Sequence, residues 1–178
     1  PPPAGWDPSA PATDLPDVGD AALASLRAAF DERHGGFGGA PKFPPHATLR
    51  WLNARSEPEA HALADATLRA IARGGIHDPL GGGVARYSVD ERWAVPHFEK
   101  MLYDNVQLLP RWVEAWTRSG EPTFLRAARS TFAWLQAEMR LPDGGYATAL
   151  DADSETPDGR HEEGAFYAWT ATEFDAAV

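Results

Sequence analysis

The stretch Ser56-Glu57-Pro58-Glu59-Ala60-His61-Ala62-Leu63-Ala64-Asp65-Ala66-Thr67-Leu68-Arg69-Ala70-Ile71-Ala72-Arg73-Gly74-Gly75-Ile76 decides the fold class. It opens with the serine-to-glutamate spacing of a capping box. Leu63, Thr67 and Ile71 recur on one face, and the stretch closes on Gly74. That is an amphipathic helix, and a glycine pair followed by an apolar residue marks its end. The same ending returns at Gly35-Gly36-Phe37 and Gly144-Gly145-Tyr146.

Working outward, four more helices are expected. The first covers about residues 20–30, with Leu23, Leu26 and Phe30 on one face. The second begins near Pro45 and carries Leu49 and Trp51. The fourth runs from Pro96 to Thr117 on a stripe of Phe98, Leu102, Val106, Leu109, Val113 and Trp116, with a kink expected at Pro110. The fifth covers about residues 122–140, with Phe124, Phe132, Leu135 and Met139 inward. Connections after the second and fourth helices are short. Those after the first, third and fifth are long and begin with the glycine pair. In an up-and-down array the odd connections share one end, so three similar loops should gather there. Within them, residues 84–88 and 93–95 read as a β-hairpin, and residues 146–150 and 165–169 as a second strand pair.

Both ends of the chain look cut. Residues 1–16 hold six prolines and read as a linker, leaving 17–178 as the folded part. Thr170 and Glu173 open another helix that stops at Val178. Such a fragment should leave apolar helix faces uncovered and tend to self-associate.

Composition narrows the function classes. The net charge of −10 argues against nucleic acid, and no apolar run approaches the length of a membrane span. No signal peptide is visible, and cytoplasm is the default compartment. The absence of cysteine excludes thiolate chemistry within the chain. The seven tryptophans suit core packing or an aromatic-lined ligand cleft.

The densest chemical cluster is Pro96-His97-Phe98-Glu99-Lys100-Met101-Leu102-Tyr103-Asp104-Asn105. As helix it would place His97, Lys100 and Asp104 on one side and Glu99 with Tyr103 on the other. The positive end of a helix favours a carboxylate at Glu99, and a histidine beside a carboxylate has the form of an acid/base pair. The plainer reading has Glu99 capping the helix and Lys100 pairing with Asp104. Asn105 falls inside the apolar stripe, so its amide needs partners, expected to be backbone groups of an adjacent loop.

The preceding loop holds Asp78, three consecutive glycines at 81–83, and Arg86. The glycines permit a tight turn or close approach to a ligand, and Asp78 with Arg86 would form an ion pair across the turn. The first loop sets Lys42 between Phe37 and Phe43. The third spaces Asp151, Asp153 and Glu155. Glu162 has the place of a last calcium ligand, but Thr156 stands where a calcium loop needs glycine, so no metal is expected.

These segments together resemble the thioredoxin-domain proteins of the spermatogenesis-associated protein 20 type. The matching stretches are residues 35–44, 81–83 with 86–88, 93–105, 149–155 and 163–169. The resemblance implies a mainly α fold: the first part of an (α/α)6 toroid of antiparallel helical hairpins, with small β-hairpins in the loops at one end. It is similar to six-hairpin glycosidases and N-acylglucosamine 2-epimerases, and implies a thioredoxin-like domain elsewhere in the same protein as partner. Pro79 and Val84 depart from the family pattern, where His and Phe are expected.

Two functions follow as expectations. One is a carbohydrate enzyme, an epimerase, isomerase or glycosidase, with a small-molecule sugar ligand and no cofactor. His97, Glu99 and Asp78 would be catalytic. Phe37, Lys42, Arg86, Tyr87, Trp93, Asp104, Asp151 and Asp153 would bind. The other is a non-catalytic toroid that binds a ligand or partner for the redox domain.

Overall fold

A computed structural model describes residues 18–156 and 158–177. The expected linker at 1–16 lies outside them. Among the described residues six helices form: α1 (Val18–Ala29), α2 (His46–Ala54), α3 (Pro58–Arg73), α4 (Leu102–Ser119), α5 (Pro122–Trp134) and α6 (Ala171–Ala177). A π-helical turn, Leu135–Met139, continues α5, so the fifth helix ends where periodicity put it. No described helix is long and apolar enough to cross a membrane.

The helices pack as antiparallel hairpins, α2 with α3 and α4 with α5. The hairpins then align, α2 beside α4 and α3 beside α5. Leu49, Leu52, Leu68, Ile71, Leu108, Trp112 and Phe124 are fully buried between them. At about 25 cal/mol per Å² of apolar surface, these side chains supply the main drive for the arrangement. A second cluster, Trp134, Leu135 and Met139, sits under the third loop.

Two helix starts differ from expectation. The capping box at Ser56 and Glu59 does not form. Glu57 is the cap residue of α3, with Pro58 opening the helix, and its carboxylate pairs with Arg55. At α6 the box does form, Thr170 Oγ1 accepting from the Glu173 amide and Glu173 accepting from Thr170 N–H.

The larger correction is at α4, which begins at Leu102. Residues 96–101 are extended because two loops supply better backbone partners. β1 (Tyr87–Ser88) pairs antiparallel with β2 (Pro96–His97), and β3 (Lys100–Met101) with β4 (Ala149–Leu150). The Arg86 amide donates to Glu99 O at 2.8 Å, and the Leu102 amide to Thr148 O at 2.9 Å. The second-loop hairpin is therefore present, but the strand pair expected between 146–150 and 165–169 is not. Instead β5 (Asp153–Glu155) pairs with β6 (His161–Glu163).

The buried face of α4 carries Asp104, Asn105, Leu108, Trp112 and Ala115. The stripe expected to be inward, Val106, Val113 and Trp116, is exposed, as is Phe132 on α5. The described residues do leave an apolar face open. Asn105 does what its position required. Its Oδ1 accepts from the Val84 amide at 2.8 Å, and its Nδ2 donates to Val84 O and Met101 O.

Candidate active site

The three long loops meet at one end. Lys42 bridges to Ser88, joining the first loop to the second. β3 with β4, and His97 with Glu163, join the second to the third. Two of the residues expected to bind a ligand, Lys42 and Trp93, fasten this junction. Lys42 is buried, its Nζ donating to Asp31 Oδ2 at 2.6 Å and Glu91 O at 3.1 Å, over the Trp93 ring. Trp93 is 1% exposed and donates its indole N–H to Gly35 O. Phe37 packs edge-on against Phe30. Aromatic and cationic side chains were read as ligand-facing, yet burial was the stronger demand on them.

Asp78 also has a structural partner. It pairs with Lys100, not Arg86, at 2.9 Å, and Lys100 donates as well to Gly82 O at 2.8 Å. Burial alone would raise the Asp78 carboxyl. The Lys100 hydrogen bond and the amides of Gly81 and Leu80 bring it below its ordinary value. Burial holds the Lys100 ammonium below its own, against the pull of Asp78. The three glycines serve this core rather than a ligand. Gly83, at φ 77°, sits so close to Trp134 that a Cβ would fall 2.6 Å from the indole. Asp104 is buried and pairs with His46, not Lys100, at 2.7 Å.

What remains open is a cluster around His97. Its ring stacks on Tyr87 at 4.7 Å, and Tyr87 packs on Phe43 at 4.6 Å. Nδ1 lies 2.7 Å from Glu163 Oε1, and Nε2 lies 3.8 Å from Glu99 Oε2. Arg86 donates to Glu99 at 2.9 Å. The Glu99 hydrogen bond, followed by the nearby Tyr103, holds the guanidinium above its ordinary range. A carboxylate at Glu163 favours the tautomer in which Nδ1–H donates to it, with Nε2 on the side of Glu99.

Asp151 and Asp153 stand at this end without touching His97. Asp151 accepts from the Asp153 amide at 3.1 Å, and Asp153 pairs across β5 with Glu163. The third loop thus sends Glu163, not an aspartate, to the histidine. Glu163 and His46 were both missed. Glu163 offers no local signal, because only the β5–β6 register brings it near His97. His46 follows Pro44-Pro45 at the start of α2, and that position was the available clue. His46 Nδ1 and Asp104 Oδ2 are buried without a hydrogen-bond partner in the described structure. Among the described residues no group of three or more His, Cys, Asp or Glu is placed to hold a metal.

Comparison with known proteins bears on this geometry. The human protein named spermatogenesis-associated protein 20 is 39% identical over 165 residues, which is 88% of this chain and 21% of the human protein. The rat protein of that name is 40% identical over 81% of the chain. The chain is homologous to a segment of spermatogenesis-associated protein 20. It spans about a fifth of the length of these curated relatives. A Caenorhabditis elegans protein described as uncharacterized is also 40% identical, over 83% of the chain. No family model matches.

Solved structures show the fold of this chain. A sugar epimerase from a ruminal bacterium superposes with TM-score 0.58 at 17% identity, over 73% of this chain and 40% of its own. The cellobiose 2-epimerase of Spirochaeta thermophila gives TM-score 0.57 at 22% identity, over 78% and 41%. The helical hairpins are part of an (α/α) toroid.

Proposed function

We propose that the loop-rich end is a carbohydrate site, and that its chemistry is sugar isomerisation or epimerisation centred on His97. The observation that carries this is the His97 ring held between Glu163 and Glu99 and backed by Tyr87. A carboxylate on Nδ1 fixes the ring tautomer, and Nε2 is left to take or return a proton. A proton α to a sugar carbonyl suits such a base. Arg86 would steady the developing oxyanion while bound to Glu99. Phe43, exposed beside Tyr87, offers an apolar face on which a sugar ring can lie.

Epimerisation needs a second proton donor on the opposite side of the reacting carbon. His46 does not fill that place, its Nε2 being bonded to Asp104 and its Nδ1 buried, so the described residues suit isomerisation by a single base better. A glycosidase reading would use Glu99 and Glu163 as its carboxylate pair, about one imidazole apart. It is disfavoured because both are already committed to His97 and Arg86. That the fold is shared with sugar epimerases supports this reading by analogy alone. The proposal includes a linker at 1–16, a toroid segment at 17–178, a cytoplasmic location and a thioredoxin-like domain in the same longer protein as partner.

The test is proton exchange. The chain is incubated in D2O with glucose, mannose or cellobiose, and loss of the C2 proton is followed by NMR. Exchange that disappears in His97→Gln at an unchanged melting temperature is expected. No exchange with any sugar, and no saturation transfer to one, would refute the reading.

A further inference from the structure

A second cleft lies away from His97, between the C-terminal end of α3 and the outer face of α5. It has a volume of about 540 Å³, within the range of small-molecule sites. Arg73, Arg126 and Arg129 line it, and no carboxylate does. On a chain of net charge −10, three arginines without a lining acid are a local reversal of the overall field.

These guanidiniums are weakly engaged. Glu121 gives its carboxylate to Arg69 at 2.7 Å and reaches Arg73 only at 3.7 Å. Arg126 donates to the Thr123 hydroxyl at 3.3 Å, and the Arg129 guanidinium has no partner among the described residues. Arg126 and Arg129 are three apart on α5, so their side chains project to one side. The cleft wall adds the Ser130 and Thr123 hydroxyls. Ser130 Oγ lies 3.0 Å from His77 Nε2. Burial holds His77 below its ordinary value, against the pull of the Asp78 charge. Ala72, Pro79 and Ala127 supply apolar walls.

We infer that this cleft binds a phosphate-bearing small molecule. The arginine forks match the oxygens of a dianionic phosphate monoester. The volume is several times that of phosphate itself, and the apolar walls need an organic body to cover them. The site stands independently of the carbohydrate reading, since none of its lining residues touches His97.

Calorimetric titration of the 178-residue chain tests it, with glucose 6-phosphate, inorganic phosphate and glucose as probes. Glucose 6-phosphate should saturate one site, weaken with added salt, and bind more tightly than inorganic phosphate, while glucose should not compete. The Arg126→Ala/Arg129→Ala variant, altered only at exposed positions, should lose at least about tenfold in affinity, one arginine contact being worth that much. His97→Gln should bind it unchanged. Failure of glucose 6-phosphate to bind, equal binding of inorganic phosphate, undiminished binding by the double variant, or loss in His97→Gln would each overturn the assignment.

Discussion

Replacing Asn105 with Ala tests the junction that holds the second loop over α4. Asn105 is fully buried and makes three hydrogen bonds, to both backbone groups of Val84 and to Met101 O. Alanine strands the Val84 amide and two carbonyls away from water. A buried polar group left unpaired costs about 1–3 kcal/mol, and the Met101 carbonyl retains some helical company. The expected loss is therefore about 3–5 kcal/mol, a large part of the stability of an ordinary domain. For a chain of this size that is a fall of roughly 10 °C in melting temperature. Urea unfolding measures it, and hydrogen exchange at the Val84 and Ala85 amides should rise before the rest of α4 opens. Asn105→Asp keeps the acceptor for Val84 N–H but loses both donors and adds a buried charge, so it should be at least as damaging at neutral pH. A loss below about 1 kcal/mol for Asn105→Ala, or an Asp variant near parental stability, would refute the assignment.

Lys100→Met should cost about 3–5 kcal/mol, because Asp78 is left charged and largely buried; adding Asp78→Asn should recover part of that loss in chemical denaturation. Gly83→Ala should destabilise by roughly 2–3 kcal/mol, since a Cβ meets the Trp134 ring at a positive φ, and loss of near-ultraviolet tryptophan dichroism would report it. Burial lowers the His77 pKa from 6.5, so below that pH the unfolded chain gains a proton that the folded chain refuses. Stability should accordingly fall as pH drops from about 6.5 towards the folded pKa, and His77→Gln should flatten that part of the urea-midpoint profile; an unchanged slope would sink the argument.

Apolar periodicity, proline starts and glycine-pair ends were enough to place five helices, their short and long connections, and the convergence of three loops at one end. These are local properties, decided within a few residues by backbone sterics, whereas the buried face of α4 was decided by packing and differs from the expected stripe. The demand for partners at Asn105 was equally local, because an amide inside an apolar stripe cannot stay unpaired. The start of α4 was not local. Residues 96–101 have a helical pattern, and only the backbone of residues 86–88 and 148–150 draws them into extended pairs. Which cation meets which carboxylate was likewise a tertiary matter. Lys100 took Asp78, Arg86 took Glu99 and Asp104 took His46, because long side chains pair by proximity in space. The site followed suit. His97 and Glu99 are visible as types of residue in the sequence, but Glu163 reaches them across sixty-odd residues only through the β5–β6 register, and register is set by the packed loops rather than by the strand's own composition.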